Sequence, residues 1–168
     1  SEYPLTEEAI ATKADFNAFT DNPLLDCALK GMPTIMSAPY PIEFVDEGNT
    51  IALRIEEYDL VRTIHMDGQT NANPEPSLLG YSVGRWEDQT LIVKTSASNW
   101  GYFRGTGEYP ISADSEFIER FLATENGSRL QYELTVIDPM VFTEPVILQK
   151  SWIWLPDVTL DPYECASP

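Results

Sequence analysis

From Ile42 onward the chain keeps a two-residue rhythm that few architectures satisfy. In Leu130-Gln-Tyr-Glu-Leu-Thr-Val136 the apolar positions 130, 132, 134 and 136 alternate with Gln131, Glu133 and Thr135. Side chains of a strand point to opposite faces in turn, so this segment buries one face and wets the other. Comparable runs span 42–45, 50–56, 58–67, 79–86, 90–96, 116–124, 129–137 and 146–154, and a short one spans 159–165. Turns separate them at Glu47-Gly48-Asn49, Glu87-Asp88-Gln89 and Glu125-Asn126-Gly127-Ser128, where Asn-Gly accommodates the positive φ angles of a tight hairpin. Val146, Leu148, Trp152 and Trp154 share one parity, with Lys150 the exception. Eight or nine antiparallel strands in simple up-and-down order predict an all-β fold, a closed or nearly closed barrel, which removes the exposed edges of an open sheet. A barrel of that size holds side chains or one small ligand.

Residues 1–168 read as a single domain, with a helix and arm over 1–41 and the barrel over 42–165. Thr6 in Leu5-Thr-Glu-Glu-Ala-Ile10 has the character of a helix N-cap, followed by two acids where the helix dipole favours them. The spacing predicts a helix to about Ala18, stopped by Asp21-Asn22-Pro23. Pro23, Gly31, Pro33, Pro39 and Pro41 then predict an ordered but irregular arm.

The chain carries 27 acidic and 10 basic residues, a formal charge of −17. Phosphate backbones and anionic lipid require the opposite sign, so neither nucleic acid nor membrane insertion is expected. No apolar run is long enough to span a bilayer, and Ser1 without an initiator Met reads as a processed N-terminus. Cys27 and Cys165 lie near opposite ends. Their even number and placement predict a disulfide stapling the arm to the end of the chain, with two separately buried thiols as the alternative. The disulfide implies an oxidising compartment, hence a periplasmic or secreted protein. Two cysteines and one histidine without short spacing form no zinc signature, and no cofactor motif is present.

His65, the only histidine, shares strand parity with Asp67. A carboxylate beside an imidazole can set its tautomer for general-base work, and a strand-end His bonded to a turn Asp accounts equally for the pair. Gly80-Tyr-Ser-Val-Gly84 fits Gly-x-Ser-x-Gly literally, but a strand and hairpin turn surround Ser82 where a nucleophile elbow needs a helix. Arg62 and Arg85 alternate among apolar neighbours and so need carboxylates such as Glu119 or Glu56-Glu57, or a bound anion. Trp86 stands before a hairpin turn, where it can plug a barrel end. The aromatic loop over 97–114, with Trp100, Tyr102, Phe103 and Tyr109, is long enough to close a cavity mouth or to form a partner surface. Arg62, Tyr81, Arg85, Trp86, Trp100, Tyr102, Phe103 and Glu119 are therefore the candidate ligand-binding residues.

The order Ala38-Pro-Tyr-Pro-Ile-Glu43, Arg62-Thr-Ile-His-Met-Asp-Gly68, Gly80-Tyr-Ser-Val-Gly-Arg-Trp-Glu87, Thr90-Leu-Ile-Val93, Glu119-Arg120 and Asp138-Pro139 resembles a group of exported bacterial proteins. The resemblance covers residues 21–165, both cysteines included. It implies a precursor with a signal peptide and a lipocalin-like barrel, without an established activity. Members of the group usually show His where this chain has Tyr81, Asp where it has Lys94, and Pro-His-Ser where it has Pro110-Ile111-Ser112.

Three function classes follow. A barrel binding a small amphipathic or apolar ligand comes first. An enzyme of the lyase, isomerase or hydrolase kind in the same cavity, using His65 and Asp67 with an arginine beside a developing anion, is second. An extracellular structural or assembly subunit, with a homo-oligomeric or other partner, is third.

Overall fold

Strands form where the alternation is strict, and they assemble in chain order. The computed structural model describes residues 3–68 and 70–165. Among the described residues β1 (Ile42–Asp46), β2 (Thr50–Ile55), β3 (Leu60–His65), β4 (Tyr81–Glu87), β5 (Thr90–Ser96), β6 (Glu116–Thr124), β7 (Arg129–Ile137) and β8 (Val146–Ile153) make one eight-stranded sheet. It curls into a half-barrel, as an all-β, mostly up-and-down antiparallel chain predicts. In β7, Tyr132, Leu134 and Val136 face the concave core while Gln131 is exposed. The Asn126-Gly127 turn takes the positive φ angles expected of it, 57° and 85°.

Two connections depart from the simple meander. β3 and β4 run parallel, with Ile64 beside Ser82 and His65 beside Val83. Parallel neighbours need the chain to return to its starting end, and the described residues 66–68 and 70–80 lie outside the sheet, with Pro74 and Pro76 unable to donate to a ladder. The last expected strand, 159–165, is instead an extended tail, because Pro162 lacks the donor a paired strand needs. The tail is held by Asp161 N–H on Glu56 (3.0 Å), by Tyr163 N–H on Asp59 (3.3 Å) and by the Cys27–Cys165 disulfide, with 6.1 Å between Cα atoms.

β1 and β8 end the sheet, and each reaches across the concave side to something other than its fellow edge, β1 to β6 and β8 to the arm. Phe44 of β1 meets Phe121 edge-on, with ring centroids 5.2 Å apart. Lys150 of β8 donates to the carbonyls of Met36 (3.0 Å) and Ala38 (2.9 Å) in the arm. Its inward position, the apparent break in the β8 pattern, is thus satisfied by arm backbone.

The interior is filled by chain that is not strand. Met32, Ile35 and Met36 of the arm enter the concave face and are at most 2% exposed. Phe103, Tyr109 and Ile111 join them from the 97–114 loop in one apolar cluster with Leu53, Phe117 and Val136. Each large apolar side chain so buried contributes about 1.5–3 kcal/mol, which explains why an irregular arm is ordered. The N-terminal helix α1 (Glu7–Asp15) begins with Thr6 accepting from Ala9 N–H (3.2 Å). It stops before Ala18 because side chains beyond it capture backbone donors: Asp21 takes Asn17 N–H (2.8 Å) and Asn17 takes Phe19 N–H (2.9 Å).

Candidate ligand-binding site

The two faces of the sheet separate the chemistry-bearing residues into two sets. On the concave face Arg62 grips Glu119 through both ends of its guanidinium, at 2.9 and 2.7 Å. The same guanidinium donates to Ser82 and Thr95 (3.2 Å each), and Tyr132 donates its phenol to Glu119 (2.9 Å). All five side chains are buried. Burial pulls the Arg62 guanidinium down, but Glu119 more than compensates and holds it protonated above its usual range. Burial, then Glu119, pushes the Tyr132 phenol well up. The expectation that Arg62 finds a carboxylate is met by Glu119, and the geometry is that of a closed structural pair. Ser82 shares this interior network, on the opposite face from His65.

On the convex face β3, β4, β5 and β6 present a different group. His65 stacks on Tyr81, with ring centroids 4.6 Å apart and 23° between planes. Tyr81, Val83 and Arg85 of β4 project beside Lys94 and Ser96 of β5, since Tyr81 is registered on Ser96 and Val83 on Lys94. Together with Thr70 and Asn71 of the crossover they line a groove of about 320 Å³. Arg85 pairs with Glu87 (2.5 Å) and Lys94 with Glu116 (3.1 Å), both pairs solvent-exposed. Exposed pairs of this kind contribute little and exchange readily for a ligand anion. The groove therefore offers an aromatic wall, an apolar patch and two exchangeable cations.

The remaining predicted residues lie elsewhere. Trp100 and Phe103 are buried and face the arm rather than an open mouth: Trp100 donates its indole N–H to Thr34 (2.8 Å), and Thr34 donates to the Tyr102 carbonyl (3.1 Å). Trp86 lies beside the β4–β5 hairpin turn, across from Leu91, and is 59% exposed. β3 ends at His65, so Asp67 falls in an exposed bend where strand parity no longer sets its side chain. Of the residues singled out in the sequence, His65, Tyr81 and Arg85 come together. Lys94, Ser96 and Asn71 join them unforeseen, because cross-strand register and the path of a crossover leave no local signal. Comparison with protein-family models, curated proteins and solved structures gives no match to this chain.

Proposed function

We propose that this protein is an exported binding module that takes a small amphipathic ligand in the convex-face groove beside Tyr81. The observation that carries this reading is a groove lined by Tyr81, whose ring stacks on His65, and by two replaceable cations, Arg85 and Lys94. The concave interior, by contrast, is occupied by the arm and the 97–114 loop. A planar apolar body would pack on the Tyr81 ring and Val83, and a single anionic group would displace Glu87 or Glu116 from its cation. Export is supported by the disulfide that ties the arm to the tail.

Native mass spectrometry of the protein from its own source tests the reading, alongside a Tyr81→Ala variant produced identically. The expected result is a retained small molecule on the parent chain that is lost from the variant. Equal retention by both chains would place the ligand elsewhere. A second polypeptide with no small molecule would favour the assembly-subunit reading, and turnover of the retained molecule abolished by His65→Ala would favour the enzyme.

A further inference from the structure

A second groove crosses the convex face over β5 to β8, and its chemistry differs from that of the first. It is an open groove of about 450 Å³, and Arg120, Gln131, Glu133, Gln149 and Ser151 are among its polar lining, with Thr90, Arg129 and Lys150 at its margins. Strand register explains the convergence: Arg120 pairs with Glu133 and Glu133 with Gln149, while Leu122 pairs with Gln131 and Gln131 with Ser151. One row, Arg120–Glu133–Gln149, is thus polar across three strands, and the row beside it, Gln131–Ser151, starts from Leu122 as an apolar floor. The distance from β6 to β8 is two strand spacings, about 10 Å, which suits one sugar ring with its substituents.

Arg120 is the unusual member. Nine of the ten Lys and Arg side chains have a hydrogen-bond or ion-pair partner, from Lys30 on Glu57 to Arg104 on Tyr3. Among the described residues Arg120 has none, although the chain carries 27 acids. Its cross-strand neighbour Glu133 instead accepts from Gln149 (2.8 Å). Arg129 at the groove end is held by Glu125 (3.1 Å) and by Ser151 (3.0 Å). A guanidinium left free beside two amides, a hydroxyl and a carboxylate is complementary to one class of ligand.

We propose that this groove binds an acidic sugar, a ring carrying one carboxylate and several hydroxyls, with Arg120 as the carboxylate anchor. A free guanidinium receives a carboxylate in two parallel N–H···O bonds. Gln131, Gln149 and Ser151 exchange hydrogen bonds with ring hydroxyls, and Glu133 accepts from them. Glu133 repels a phosphate dianion about twice as strongly as a carboxylate monoanion, because the repulsion scales with charge, and it accepts from the hydroxyls of a polyol. The C–H face of the ring lies on Leu122. The site is separate from the Tyr81 groove and does not depend on the function proposed for it.

Titration of the ¹⁵N-labelled protein with galacturonate, and separately with galactose, tests this. Galacturonate is expected to shift the amides of Arg120, Gln131 and Gln149, and galactose, lacking only the carboxylate, to bind about tenfold more weakly or worse. Arg120→Ala is expected to lower the galacturonate affinity to that of galactose, with Arg120→Lys intermediate and Tyr81→Ala unchanged. Equal binding of the two sugars, no effect of Arg120→Ala, or no shifts at millimolar galacturonate would overturn the proposal. Shifts confined to Tyr81 and Lys94 would likewise overturn it while supporting the other groove. Arg120 is exposed and has no partner among the described residues, so its replacement leaves the fold intact.

Discussion

Glu119 is the residue on which the interior most depends. It accepts three of the bonds in the buried network, and its removal leaves Arg62 as an unpaired charge surrounded by Leu53, Ile64 and Phe117. Glu119→Ala is expected to cost about 3–5 kcal/mol in urea denaturation, the usual penalty for breaking a buried pair. Replacing both partners, as in Arg62→Met with Glu119→Leu, should cost less than Glu119→Ala alone, because neither chain then buries a lone charge. Lys150 supplies a pH signature. Burial lowers its ammonium from 10.5 to about 8, opposed in part by Glu57. The folded chain therefore binds that proton less tightly than the unfolded chain, so Lys150 makes stability rise with pH between about 8 and 10.5. Lys150→Met should flatten the dependence of the urea midpoint on pH from 8 to 9.5. Above that range Tyr163, raised to about 12, acts in the opposite sense. The inward face of Lys150 is legible in its strand parity, but its carbonyl partners belong to the arm, more than a hundred residues away in sequence, and no local pattern announces them.

At the scale of elements, the arm and tail behave as one tied unit. Gly31 lets the arm approach the crossover: a Cβ there would lie 2.3 Å from the Leu78 carbonyl oxygen and 2.5 Å from Trp100 Cβ. Gly31→Ala must therefore push the arm outward, and a loss of about 1–3 kcal/mol is expected from the resulting strain. Reducing Cys27–Cys165 removes a link of sequence separation 138. A loss of about 2–5 kcal/mol is expected, and hydrogen exchange should speed first in 155–165 and 22–30 while β5 to β7 stay protected. Hairpins were legible in the sequence because turn chemistry and alternation are local, as at 125–128. The parallel β3–β4 pair was not, because the direction of return through 66–80 depends on where Leu78 docks, against Met32 N–H at 2.8 Å.

For the whole molecule, a charge of −17 opposes compaction through self-repulsion. Raising NaCl from about 0.05 to 0.5 M should therefore raise the melting temperature, since salt screens exposed charges more than the buried Arg62–Glu119 pair. The half-barrel also leaves β1 and β8 as edges, and Ile147 and Ile153 are 58% and 60% exposed on the second of these. Sequence alone determined where the eight strands of the sheet fall, which face of each is apolar, that Arg62 needs a carboxylate, and that Cys27 and Cys165 suit a staple. Those properties follow from side-chain period, turn geometry and the cost of a buried charge, all of which act over a few residues. Tertiary structure alone decided that the arm and aromatic loop fill the concave face, and that His65 and Ser82 lie on opposite sides of the sheet. It also decided that Arg120 has no hydrogen-bond or ion-pair partner among the described residues. These depend on register between distant strands and on competition for one interior volume, and both are settled only when the whole chain packs.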